Sequence, residues 1–233
     1  MLKIENLKAF GIMEALRGMR NPLNSWDKLD STCRCSEDDG HVIELKLGPN
    51  DAKLCSALIN GGAPHRKFLR QIHVTMDITA PAYWWAEMDT YKISTTRDSC
   101  SVQHKGASRD FTLDDFTIDK ILEGDGATEF NNVNSTSSLK WYSETFGGVL
   151  GTMNHLRKLY NDTKDYKYFR LLRQIMPMGY NYKATWSGTY EVLLNIYQWR
   201  RNHKLIEWHR FCAELLNLPG AKEFLSTQRN GDA

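Results

Sequence analysis

The sequence predicts an α+β fold, a small mixed β-sheet in the N-terminal half with a helical layer over it. Three stretches carry that expectation. Residues 72–79 alternate strictly, with Ile72, Val74, Met76 and Ile78 on one side and His73, Thr75, Asp77 and Thr79 on the other. A period of two over this length is that of a half-buried strand. Residues 139–160 set Trp141, Tyr142, Phe146, Val149, Leu150, Met153, Leu156 and Leu159 at helical spacings of three and four. Residues 187–216 read as one long helix, with Tyr190, Leu193, Leu194 and Tyr197 on a single face.

The elements follow in order. Residues 1–11 alternate weakly through Leu2, Ile4 and Leu7 and read as an edge strand, and residues 12–19 as a short amphipathic helix. Residues 21–39 are polar and turn-rich, a surface loop that contains Cys33-Arg34-Cys35. Two cysteines one residue apart are metal-ligand types, but no second pair or histidine cluster stands at ligand spacing. Residues 42–47 form a second strand candidate. A helix follows with Asn50 or Asp51 as its N-cap, ended by Gly61-Gly62. After the central strand, Ala80-Pro81 leads into a short aromatic helix carrying Tyr83, Trp84, Trp85 and Met88, with the proline suited to its first turn. Residues 111–121 suggest a short helix and residues 124–138 a long Gly/Asn/Ser/Thr-rich loop. Gly147-Gly148 and Gly151 mark a close-packing or break point in the next helix. Asp165 caps a helix over 166–176 that Pro177 stops.

At 233 residues the chain has ample length for one domain spanning 1–233, with an insertion expected at 122–138. Hydrophobic and charged shares of 41% and 25% are those of an ordinary globular protein. A net charge of +2 argues neither for nor against a polyanionic partner; any phosphate site must be a local cluster rather than a global field, and no nucleic-acid partner is expected. No apolar run approaches the roughly 20 residues that cross a bilayer. The first eleven residues lack the apolar core of a signal peptide. Five cysteines, an odd number, point to free thiols in a reducing compartment, so the expected location is cytoplasmic.

Candidate chemistry concentrates in two places. Residues 89–101 are charged and hydroxylated and follow a buried strand and an aromatic helix, the usual setting of a site or interface. On the last helix, the apolar stripe runs into Arg200, Arg201 and Lys204, which sets cations at the edge of the core. Guanidinium forks held there suit phosphate or carboxylate, or pair with the chain's own acids such as Glu191 or Glu207. Arg173, near a helix end, suits a ligand or the helix dipole. The loop cations Arg66, Lys67 and Arg70 are either phosphate contacts or solvated. Cys100 is a nucleophile if a neighbouring cation lowers its pKa, and otherwise a small filler.

Strand, Ala80-Pro81, aromatic helix and polar run together resemble the core of the flavin-dependent thymidylate synthases. That family carries R-H-R-x-x-S-x-N-x-x-S-x-R after the helix. Here those positions fall on Thr90, Tyr91, Lys92, Thr95, Arg97, Cys100 and Val102, with Lys92 for arginine and Thr95 for serine as the conservative replacements. Downstream, RQIMP places Arg173 four residues before Pro177, and NIYQWRRNHKLIEW matches the family's second arginine segment through Asn195 and Arg200. His203 and Trp208 are offset there, which leaves Arg201 as an alternative to Arg200. The ordered set covers residues 50–215.

The resemblance implies an FAD-dependent methyltransferase of dTMP biosynthesis, a homotetramer with extended FAD at its subunit interfaces. It implies reductive one-carbon transfer to C5 of dUMP, with NADPH and methylenetetrahydrofolate as co-substrates. Substrate contacts fall on Arg173, Arg200, Asp98, Glu87 and Cys100, of which Arg200 and Cys100 are the catalytic candidates. Cofactor contacts fall on Thr90, Tyr91, Lys92, Thr95, Arg97 and Gln198. The departures leave two alternatives. Glu87 stands where the family has glutamine, which suits a base with a donor edge such as that of dCMP. The altered Arg-His-Arg also allows a nucleotide-binding protein that has lost flavin.

Overall fold

The computed structural model describes residues 2–101, 108–118 and 135–225. In chain order the elements are β1 (Lys3–Phe10), α1 (Ile12–Gly18), β2 (Thr32–Cys35), β3 (Val42–Lys46), α2 (Pro49–Asn60), β4 (His73–Pro81), α3 (Ala82–Met88), β5 (Thr96–Ser99), α4 (Ser135–Thr163), α5 (Tyr166–Ile175), β6 (Asn181–Thr189), α6 (Tyr190–Arg200), α7 (Ile206–Leu215) and α8 (Ala221–Leu225). A four-stranded sheet has the order β1-β4-β6-β5, and β2 and β3 form a separate hairpin. The expected α+β class holds. By internal packing the chain groups into two compact units. The larger gathers Leu2–Thr79, Ala86–Asp98 and the chain from Lys183 onward; the smaller gathers Ala80–Trp85 and Ser99–Tyr182.

In the larger unit, β4 shows the alternation its sequence predicts, with Val74, Met76 and Ile78 buried. β1 pairs with it antiparallel, from Lys3 opposite Thr79 to Phe10 opposite His73, with an irregularity between Glu5 and Lys8. Asn6 sits in that irregularity at φ 53°. Asparagine tolerates this left-handed backbone better than most residues, and its side chain donates to Asp77 Oδ2 at 2.9 Å.

Asp51 is not the expected N-cap. Pro49 opens α2 behind Gly48, and the cap is supplied from outside the helix: the Asp30 carboxylate accepts from the backbone N–H groups of Asn50 (2.9 Å) and Asp51 (3.0 Å). The Asp51 side chain is fully buried. It accepts from Arg20 Nε (2.8 Å) and Nη2 (2.6 Å), and from Ser31 through its backbone N (3.0 Å) and hydroxyl (2.6 Å). The segment expected as a polar surface loop therefore supplies the Asp30 cap, the Ser31 donors to the buried Arg20–Asp51 pair, and strand β2.

Arg66 and Arg70 are not free phosphate contacts. Both engage Glu191 in the first turn of α6, Arg66 Nε at 3.2 Å from Oε1, while Lys67 is exposed. Burial by itself would raise the Glu191 pKa, but hydrogen bonds and charge from Arg70 and Arg66 outweigh it and hold the carboxyl below its ordinary value of 4.5. A carboxyl lowered in the folded state contributes stability above its unfolded value, and that contribution is lost as pH falls through the folded value. Glu191→Gln is accordingly expected to cost about 3 kcal/mol at neutral pH, because it strands the buried Arg66. The gap to wild type should narrow as urea titrations are repeated at pH values progressively below 4.5.

The single helix expected over 187–216 is corrected. Residues 181–189 are strand β6, and the helical part is split between α6 and α7 by a turn at 201–205. Inward-facing Ala184, Trp186 and Gly188 alternate with Lys183 and Thr185, a period of two hidden by two small inward residues. At the break, the Leu205 backbone N–H donates to His203 Nδ1 at 3.2 Å, a side-chain contact that stands where a helical bond would be. Within α6, Tyr190, Leu193 and Leu194 are buried as the stripe predicts, and the Tyr190 hydroxyl donates to the Pro219 carbonyl at 2.7 Å.

The smaller unit is built on α4 and α5, which pack around Phe111, Phe116, Met153, Phe169 and Leu172. Asn154 fixes the incoming chain by accepting from Phe111 N (2.8 Å) and donating to Phe111 O (2.9 Å). Asp165 caps α5 as expected, accepting from Lys167 N at 3.0 Å. The expected break at Gly147, Gly148 and Gly151 is absent. α4 runs through all three, and a Cβ built on any of them meets nothing within 4 Å. The described part of 111–121 holds a single 3-10 turn at Leu113–Asp115 in place of a helix. Of the insertion expected at 122–138, residues 122–134 lie outside the described residues and 135–138 open α4. Among the described residues, no helix is long and apolar enough to cross a membrane.

Candidate active site

Two groups of predicted site residues come together in the larger unit. The first forms where the polar run leaves α3. The Thr90 and Tyr91 backbone N–H groups donate to the carbonyls of Glu87 and Met88 at 3.1 Å each, and the Thr90 hydroxyl donates to Glu87 O at 2.7 Å. Ser94 takes φ 58°, and the Thr95 hydroxyl donates to Tyr91 O at 2.6 Å. These local bonds wind residues 88–95 into a compact turn before β5. The turn borders a cleft of about 250 Å³ lined by Met88, Asp89, Tyr91, Lys92, Thr95, Arg97 and Trp186.

Four predicted cofactor residues, Tyr91, Lys92, Thr95 and Arg97, thus share one cleft. Arg97 Nη1 lies 2.9 Å from Asp89 Oδ2, and both side chains are partly exposed. A pair this exposed contributes little to stability by itself.

Trp186 is the lining residue that sequence reading missed, because it lies on β6. Its ring depends on Gly188: a Cβ there would stand 2.4 Å from Trp186 Cη2 and 2.8 Å from Cζ2. Gly188→Ala is expected to displace the indole and cost about 1–3 kcal/mol through overpacking. Thermal unfolding and the tryptophan emission spectrum would register both effects.

The second group centres on Arg200, the last residue of α6. Its Nη1 donates to Glu87 Oε2 at 2.7 Å and its Nε to the Tyr91 hydroxyl at 3.0 Å. The guanidinium also lies over the Trp208 ring, 4.8 Å from its centroid. Trp208 Nε1 donates to the same Glu87 oxygen at 2.9 Å, and His203 Nε2 lies 3.5 Å from it. The acid that pairs with Arg200 is therefore Glu87, not Glu191 or Glu207. A guanidinium has five N–H donors, and these bonds occupy two, so an oriented cation keeps donors for a ligand. Its side chain is 19% exposed. Arg201, the alternative, is exposed and lies over Tyr197, and Lys204 is exposed as well. Tyr91 belongs to both groups, as a wall of the cleft and as the acceptor for Arg200.

The remaining predicted residues lie elsewhere. Thr90 is exposed at the start of the turn, and Asp98 is exposed on β5. Gln198 lies on α6, and its Oε1 is buried with no partner among the described residues. Cys100 is exposed and belongs to the smaller unit. So does Arg173, whose Nη1 approaches Tyr182 Oη at 3.4 Å. Val102 lies outside the described residues. Among the described residues, no group of three or more His, Cys, Asp or Glu side chains could hold a metal ion.

The chain adopts the fold of the flavin-dependent thymidylate synthases. Two crystal structures of thymidylate synthase X from Helicobacter pylori, both with FAD and dUMP, show the likeness. One covers 97% of this chain and 97% of its own at a TM-score of 0.61, the other 95% and 97% at 0.59, each at 18% identity. No protein-family model matches the sequence, and no curated protein matches it.

Proposed function

We propose that the protein is a flavin-dependent thymidylate synthase-like transferase, acting by reductive one-carbon transfer to C5 of a pyrimidine deoxynucleotide, dUMP to dTMP. In this reading NADPH is the reductant, methylenetetrahydrofolate the carbon donor, and the working form a homotetramer. The observation that carries it is the gathering of Tyr91, Lys92, Thr95 and Arg97 around one cleft, in a chain that shares a flavoenzyme fold over nearly its whole length.

The donor set of the cleft fits FAD. Lys92 and Arg97 supply two cations for a diphosphate, and Tyr91 supplies an aromatic ring beside them. Lys92 acts as a point charge where a guanidinium would be a fork, so phosphate affinity rests more heavily on Arg97. At about 250 Å³ the cleft falls below the usual size of a small-molecule site. It therefore holds part of the cofactor, as a site shared between subunits would. FAD, when bound, supplies the redox chemistry that no side chain can.

The protein binds and orients. Glu87 and Tyr91 hold the Arg200 guanidinium, whose free N–H groups bind the nucleotide. The family resemblance assigns Arg173 and Asp98 to the nucleotide as well, and Gln198, with a buried Oε1 that has no partner among the described residues, to the cofactor. Cys100 stands in the place of a hydroxyl and acts as a nucleophile only as the thiolate.

A second reading, dCMP as substrate, is favoured by the Glu87 carboxylate: a carboxylate only accepts hydrogen bonds, and the cytosine exocyclic amine donates. The test is turnover with FAD, NADPH and methylenetetrahydrofolate, scored for a C5-modified product from dUMP and from dCMP. Product from dUMP supports the first reading, and product from dCMP alone the second. If base preference is unchanged in Glu87→Gln, Glu87 does not read the base. Absence of product from either nucleotide by a flavin-loaded protein would sink the proposal.

A further inference from the structure

Far along the chain from the turn after α3, the β2–β3 hairpin carries a feature that the proposed reaction does not use. Cys33 and Cys35 project from the same face of β2, and their sulfurs lie 3.6 Å apart. Cys35 is exposed and Cys33 half-buried, so both are accessible. Cys55 and Cys212 are buried, and burial pushes their thiols up to about 12. Cys100 is exposed. Among the described residues, Cys33 and Cys35 make the one recorded thiol–thiol contact.

The separation discriminates between the things a dithiol can do. A disulfide needs sulfurs about 2.05 Å apart and Cα atoms at most about 6.8 Å apart. Residues i and i+2 of a strand lie about 6.6 Å apart, at the edge of that range. Closing the bond would pull on a strand already tied to β3 through Cys33 opposite Leu45 and Arg34 opposite Glu44. A bridging ion needs no such movement. With metal–sulfur bonds of about 2.3 Å, the 3.6 Å separation gives a sulfur–metal–sulfur angle of about 103°, close to tetrahedral. A linear two-coordinate ion at that bond length would need sulfurs about 4.6 Å apart. Burial, the neighbouring Cys35 and the Glu14 carboxylate all raise the Cys33 pKa, so the ion must displace the thiol proton on binding.

From this geometry we propose that Cys33 and Cys35 form a two-thiolate clamp for a thiophilic divalent cation of the zinc class. The two thiols release their protons to solvent on binding and occupy two tetrahedral positions. No third protein ligand joins them among the described residues, so water or a second molecule completes the coordination.

The test uses the full chain, reduced and freed of metal, titrated with zinc against a chromophoric chelator. Cobalt(II) serves as a spectroscopic probe for thiolate charge-transfer absorption. Wild type and Cys100→Ser are expected to bind one ion per chain and to show that absorption. Cys33→Ser and Cys35→Ser should each bind at least roughly tenfold more weakly and lose it. Both sites are on an exposed hairpin strand, and circular dichroism checks that the variants stay folded. Equal affinity in wild type and both serine variants, no zinc bound by wild type, or loss of binding in Cys100→Ser alone would each overturn the proposal.

Discussion

Replacing Asp51 by alanine is expected to cost about 4 kcal/mol. Asp51 is fully buried and Arg20 is 3% exposed. The carboxylate receives two N–H groups from Arg20, the Ser31 hydroxyl and N–H, and the Asp30 N–H at 3.1 Å. Removing it leaves a guanidinium in the interior without its counter-charge, and two backbone donors without an acceptor. Arg20, Asp30 and Ser31 stand in the connection between α1 and β2, and Asp51 in the first turn of α2, so the loss loosens how that connection is held to the helix. Urea denaturation gives the number. A loss under about 1 kcal/mol would mean that water reaches Arg20 in place of Asp51.

Arg200→Ala is expected to weaken nucleotide binding about a hundredfold, about 2.7 kcal/mol, while leaving flavin binding nearly intact. The side chain is partly exposed, as is its partner Glu87, so the cost to the fold is small: Glu87 keeps its bond from Trp208. Arg200→Lys should recover little, because one ammonium cannot reproduce the separate Nε and Nη1 contacts to Tyr91 and Glu87. The measurement is the dUMP concentration that perturbs the visible band of FAD-loaded protein. If Arg200→Ala responds like wild type, Arg200 is a structural partner of Glu87. If Arg201→Ala instead loses the response, the nucleotide arginine is the exposed neighbour.

Sequence reading succeeded where one physical signal dominated. Residues 72–79 alternate large apolar and polar side chains without exception, and α5 begins at a capping aspartate, so both elements are legible in the sequence. β6 is not, because of its three buried inward positions only Trp186 is large, and Ala184 and Gly188 add little apolar contrast. Its polar end, Ser187 to Thr189, reads as the start of the next helix. The residues around the cleft are close in sequence apart from Trp186, which is why the polar run reads as a unit. The Arg200 cluster is the opposite case. The helical stripe narrowed the choice to Arg200 or its neighbours. Its partner Glu87, however, is 113 residues away, and no local pattern encodes that contact. Asp51 shows the same limit, since an acid in a first helical turn looks like a cap whether it faces the backbone or a buried arginine.

The most direct test of the central proposal is the visible absorption of the purified full chain after incubation with FAD and removal of the unbound cofactor. A flavin band should remain with the protein, and it should weaken in Lys92→Ala and weaken further when Arg97→Ala is added. If no flavin stays bound even after incubation at high FAD, the transferase reading is contradicted. The cleft at Tyr91 and the Arg200 cluster would then belong to a protein that binds nucleotides without reducing them.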